Sequence, residues 1–122
     1  MAARDFWGDV QAIEVKTPLA ILREQASMLG PKTNNLVEAR VDTAVARDQQ
    51  FVRHFNLVVP ALDNYIYQLF AIQHGIDLYP VKVPGTIQEL RNEAEFTEWL
   101  RQHLSSPETG RIVSNLVAQA QS

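Results

Sequence analysis

Between Leu36 and Val83 the chain alternates between apolar and polar residues with the period of a β-strand. Val37, Ala39, Val41, Thr43 and Val45 are apolar or nearly so, whereas Glu38, Arg40 and Asp42 between them are charged. A period of two puts the first set on one face of a strand and the second on the other. Two further runs follow, Phe51 to Val59 and Tyr65 to His74, rich in aromatic and β-branched residues. An antiparallel meander follows from this order. A first turn around Gln49 sets Val41 against Leu57 and Thr43 against Phe55. A second, around Leu62-Asp63, sets Phe55 against Phe70 and Val59 against Ile66. The apolar faces then coincide, and a slip of one residue would separate them. Residues Ile76 to Val83 form a fourth strand or a bent continuation of the third, ending before Pro84-Gly85.

In this register the reverse face carries Val58, Tyr65, Tyr67 and Leu69 beside His54 and Asn56, which is too apolar to face water. Both sides of the sheet therefore call for a covering layer. A competing reading caps a helix at Asp63, runs it over 64–74 and stops it at Gly75. The run Tyr65-Ile66-Tyr67 favours the strand.

Helical patterns flank the sheet region. Thr17 reads as an N-cap with Pro18 at the first helical position, and Gly30-Pro31 reads as the stop. Ile21, Leu22, Met28 and Leu29 form the apolar stripe of that helix, with Gln25 in its middle as a backbone-bonded group or a ligand contact. Near the C-terminus, Asn92 and Glu95 resemble a capping box, and Phe96, Trp99, Leu100, His103 and Leu104 follow at helical spacing. Ser106-Pro107 opens a last helix with Ile112, Val113, Leu116, Val117 and Ala120 on one side, completing a helical hairpin. The fold class is α+β, in one domain over 1–122: an N-terminal helix, a three- to four-stranded antiparallel meander and a C-terminal helical hairpin. By architecture alone this resembles the cystatin-type arrangement, a likeness that carries no function.

Composition narrows the class further. The chain has 122 residues, 46% of them hydrophobic and 20% charged, as in ordinary globular domains. No cysteine is present, which removes disulfides, thiolate catalysis and cysteine-held metal. The longest apolar run, Leu57 to Leu62, is far short of the roughly 20 residues of a membrane span. The start, with Arg4, Asp5 and Asp9 around Phe6 and Trp7, lacks the apolar core of a secretory signal, so a cytoplasmic setting is expected. Residues 1–60 balance seven basic against seven acidic side chains, and the net charge of −3 lies in the second half. Without a basic stripe, nucleic acid is not an expected partner.

Phosphate-loop, nucleophile-elbow, zinc-protease and EF-hand motifs are absent from the sequence. His54 and His74 fall on opposite faces of the sheet and should not share a metal, and no catalytic residue, cofactor or metal is assigned. Glu93, Glu95 and Glu98 sit where a helix N-terminus favours negative charge. Arg53, alone on the otherwise dry face, snorkels at the sheet edge or pairs with a carboxylate; buried and unpaired, it would be the candidate to bind an anion. The expected role is a non-catalytic interaction module, acting on a protein partner or as a homodimer through Val58, Tyr65, Tyr67 and Leu69. The alternative is a small-molecule-binding or hydrolytic protein with a pocket between sheet and C-terminal helices, lined by His54, Tyr65, Tyr67 and His103. A third possibility is an accessory protein whose acidic second half docks on a basic surface.

Overall fold

A computed structural model describes residues 4–122. Its elements run α1 (Pro18–Lys32), β1 (Glu38–Val45), β2 (Phe51–Val59), a 3-10 turn (Pro60–Leu62), β3 (Tyr65–His74), β4 (Val81–Lys82), β5 (Glu89–Leu90), α2 (Glu93–Leu104) and α3 (Pro107–Ala120). The five strands form one antiparallel sheet in sequence order. Among the described residues, no helix is long and apolar enough to cross a membrane.

The predicted caps are in place. Thr17 Oγ1 accepts the Ala20 N–H, Asn92 Oδ1 that of Glu95 and Ser106 Oγ that of Thr109, satisfying backbone donors that a helix start leaves free. Helix α1 runs two residues beyond the expected stop, since Pro31 falls in its last turn. It ends where Asn34 and Asn35 turn left-handed at φ 53° and 62°.

Residues 65–74 are strand, not helix. The turn between β1 and β2 centres one residue earlier than expected, so Val41 opposes Phe55 and Ala39 opposes Leu57. Partners move by two, an even step, and the apolar faces still match.

A larger correction comes at β2–β3. Phe51 opposes His74, Arg53 opposes Ile72 and Phe55 opposes Phe70 as expected, but Asn56 then opposes Gln68. Leu69 is an extra residue, a β-bulge. Beyond it Leu57 opposes Tyr67 and Val59 opposes Tyr65, so these tyrosines turn to the side of Phe55 and Phe70. The expectation that Val58, Tyr65, Tyr67 and Leu69 share one face is thereby corrected: Val58 lies on one side, the other three on the opposite one. Only a two-residue strand follows Pro80, and Val83 to Gln88 turns the chain into a fifth strand the sequence reading lacked.

The layering changes with the bulge. All three helices pack on one side of the sheet, and Ile21 and Leu22 of α1, Phe96 and Leu100 of α2 and Leu116 of α3 join Phe55, Leu57, Phe70 and Ile72 in one core. Among the described residues no helix covers the other face, which has lost its tyrosines. That face carries Arg40, Asp42, His54, Asn56 and Gln68 in mutual hydrogen bonds, together with Val58 and Ile66. Asn56 and Val58 are buried on this face and Ile66 is 48% exposed.

Candidate functional site

Helix α2 presents Phe96, Trp99 and His103 to the sheet at i, i+3 and i+7. Phe96 is fully buried, while Trp99 and His103 are half-buried at the edge of the core. The Trp99 and His103 rings stack at 5.2 Å with a 28° tilt, and Phe70 meets both edge-on, at 5.2 and 4.9 Å. Phe70 in turn stacks on Phe55 at 5.0 Å. These spacings are those of favourable aromatic pairs.

The turn between α2 and α3 fixes His103. Its carbonyl oxygen accepts from Ser106 Oγ at 2.9 Å and Thr109 Oγ1 at 2.8 Å, so both hydroxyls at the head of α3 hold one residue of α2. Beside it opens a cavity of about 500 Å³, with Tyr67 and Leu69 on its sheet side, Trp99 and His103 on its helical side and Gln88 and Glu108 at its rim. The Leu69 bulge builds the floor, since without it Tyr67 would face the other way. Neither the Tyr67 hydroxyl nor the His103 imidazole has a hydrogen-bond partner among the described residues.

The charged side chains lining the cavity and its neighbour are acidic. Glu108 is in its wall, and a second hollow on the far side of Trp99 is bordered by Glu89, Glu95 and Glu98. No lysine or arginine lines either hollow. Glu98 is held below the usual carboxylate range by hydrogen bonds from Arg101 and Gln102, and its ion pair with Arg101 offsets its charge.

Of the four pocket residues expected from sequence, the fold brings two together, Tyr67 and His103. Tyr65 faces the same side of the sheet but is 47% exposed and lies outside the cavity lining. His54 is on the other face, its Nδ1–H donating to Gln68 Oε1 at 3.1 Å, so it does not join His103 in the pocket. Among the described residues no three His, Asp or Glu side chains converge as metal ligands. Trp99 was missed as a site residue, having been read as part of the apolar face of α2; the glutamates at 95 and 98 were the signal that this indole borders water.

Arg53 lies on the helix side of the sheet, as expected, but pairs with no carboxylate among the described residues. Its Nη1 donates to Thr43 Oγ1 at 2.8 Å, its Nε to His74 Nε2 at 3.3 Å, and its guanidinium lies 4.8 Å over the Phe51 ring. Two of its five N–H donors are thus taken up within the protein. Gln25 is exposed on α1, at the mouth of a separate apolar trench.

No protein-family model, curated protein or solved structure matches the chain.

Proposed function

We propose that the protein is a non-catalytic binding module that takes a small organic cation with a flat or apolar body into the cavity beside Trp99. The observation that carries this reading is an indole and an imidazole stacked at the rim of a cavity whose only ionised side chain of fixed sign is a carboxylate, Glu108. A cation over an aromatic face gains about 0.5–2 kcal/mol, more as water is excluded. The free Tyr67 hydroxyl and His103 nitrogens add direction through hydrogen bonds. Nothing in the cavity pairs His103 with a carboxylate or an activated hydroxyl, which favours binding over hydrolysis.

Fluorescence tests the reading. In a Trp7→Phe background the emission belongs to Trp99 alone, the second of the two tryptophans. Benzyltrimethylammonium should quench it with saturation on the order of millimolar or tighter. Benzyl alcohol and benzenesulfonate should not, and Glu108→Gln should weaken the cation several-fold. An equal response to the sulfonate, or none to the cation, would overturn the proposal.

A further inference from the structure

Among the described residues, two apolar features have no partner. The first is the arm before α1. Phe6, Trp7, Val10 and Ile13 are 89%, 82%, 77% and 72% exposed. Hydrogen bonds within it are local, Asp5 Oδ1 accepting the Trp7 N–H and Asp9 Oδ2 the Gln11 amide. The chain is first fastened at Lys16, whose N–H donates to Glu93 Oε1 at 3.1 Å and whose carbonyl accepts from the Tyr79 hydroxyl at 3.0 Å. Scattered exposed apolar residues are ordinary, but a group this dense marks an interaction site. Phe6, Val10 and Ile13 are spaced i, i+4, i+7, the spacing by which an amphipathic segment enters a groove.

The second feature is a trench between α1 and α3. Phe55, Leu57 and Leu69 form its floor, Met28 and Val113 stand on its walls, and its volume is about 290 Å³. Leu29, Lys32 and Val113 carry it on into a shallower hollow beside Leu36 and Val117. Lys32 borders both parts, and no carboxylate lines either. The arm has the complementary charge: Asp5, Asp9 and Glu14 against Arg4.

We propose that the arm of a second copy fills this trench, Phe6 and Trp7 against Met28, Leu69 and Val113 and Asp5 or Asp9 beside Lys32, with the exchange reciprocal in a two-fold dimer. A two-fold contact uses the same patch on both chains, and here each chain offers one arm and one trench. Aromatic side chains bury about 150–250 Å² each, so two arms with their trench walls reach roughly the 1,200–2,000 Å² of a stable interface. Leu69 and Thr109 border both hollows, but the proposal does not rest on the cation reading, because Lys32 and Met28 belong to the trench alone and Glu108, Trp99 and His103 to the cavity alone.

Sedimentation equilibrium across the micromolar range tests it. The native chain should dimerise. Phe6→Ser with Trp7→Ser, and separately Lys32→Glu, should each raise the dissociation constant about tenfold or more while leaving the circular dichroism spectrum unchanged. Mixing the Lys32→Glu chain with an Asp5→Lys/Asp9→Lys chain restores both arm–trench charge pairs, so the two weakened chains should form a mixed dimer. A strict monomer, a dimer indifferent to these changes, or an arm protected within a monomer would each overturn the proposal.

Discussion

Arg53 Nε donates to Nε2 of His74 across 3.3 Å, which fixes the imidazole as the neutral tautomer whose Nδ1–H donates to the Gly75 carbonyl at 2.8 Å. His74 is 2% exposed. Burial pushes its pKa below the usual histidine value; the Gly75 carbonyl opposes this less strongly, and the Arg53 charge adds a still smaller push downward. In the unfolded chain His74 takes up a proton near pH 6.5, whereas in the folded protein it does so only at lower pH. Its contribution to stability is therefore complete above pH 6.5 and is lost as the pH falls through the folded value, at up to about 1.4 kcal/mol per pH unit. Urea midpoints measured from pH 8 to pH 4.5 should fall more steeply for the native chain than for His74→Gln. Parallel curves would show that His74 is not the group responsible.

Phe96 is fully buried where α2 meets the sheet, and Trp99 one turn later is only half-buried. Phe96→Ala leaves a cavity in the single core and should cost roughly 3–5 kcal/mol, lowering the melting temperature steeply. Trp99→Ala should cost clearly less, because one side of the indole already faces the open cleft. Equal losses would mean that the Trp99 cleft is part of the core.

The helices were legible because their boundaries are written in local chemistry: Thr17-Pro18, Asn92 with Glu95, and Ser106-Pro107 each cap what they announce. The β2–β3 pairing was legible from His74 to Phe70 and unreadable beyond it. Leu69 is as apolar as its neighbours, so nothing in the alternation marks it as the extra residue, and the bulge is settled by packing. Leu69 and Phe70 both point at the helices, one toward the cleft and trench, the other between Phe55 and Trp99. That one residue decides the faces of Tyr65 and Tyr67, and with them which side of the sheet needs covering. The fifth strand was missed because a two-residue pairing leaves no periodicity to read.

Gly85 and Gly110 carry opposite expectations. Gly85 closes the turn after Pro84 at φ +84°, where a side chain is strained, so Gly85→Ala should destabilise by about 1–2 kcal/mol. Gly110 lies inside α3 and an added Cβ there meets nothing within 4 Å. Gly110→Ala should stabilise by about 0.5–1 kcal/mol through helix propensity alone. Thermal melts of the two variants decide it, and a loss of stability in Gly110→Ala would place a neighbour where the structure has open space.

Asp42 Oδ2 accepts from Asn56 Nδ2 at 2.7 Å and from Arg40 Nε at 3.0 Å, on the face of the sheet that no helix covers. The Asn56 bond, ahead of Arg40, holds the Asp42 carboxyl below its ordinary value. A depressed carboxylate stabilises the fold above the unfolded value and loses that contribution as the pH falls through the folded one. Asn56→Ala should raise the Asp42 midpoint toward the ordinary range in a carbon-detected carboxyl titration. Asn56 is only 8% exposed, but the Asp42 side chain is 44% exposed, so water takes up the freed carboxylate and the loss of stability should stay at about 1–1.5 kcal/mol. The same bond under a second protein layer would be expensive to break, because removing one partner would leave a desolvated charge unpaired. A loss of several kcal/mol in Asn56→Ala would therefore show that something covers this face in solution, whereas a small loss with a shifted midpoint is what an open, water-facing sheet requires.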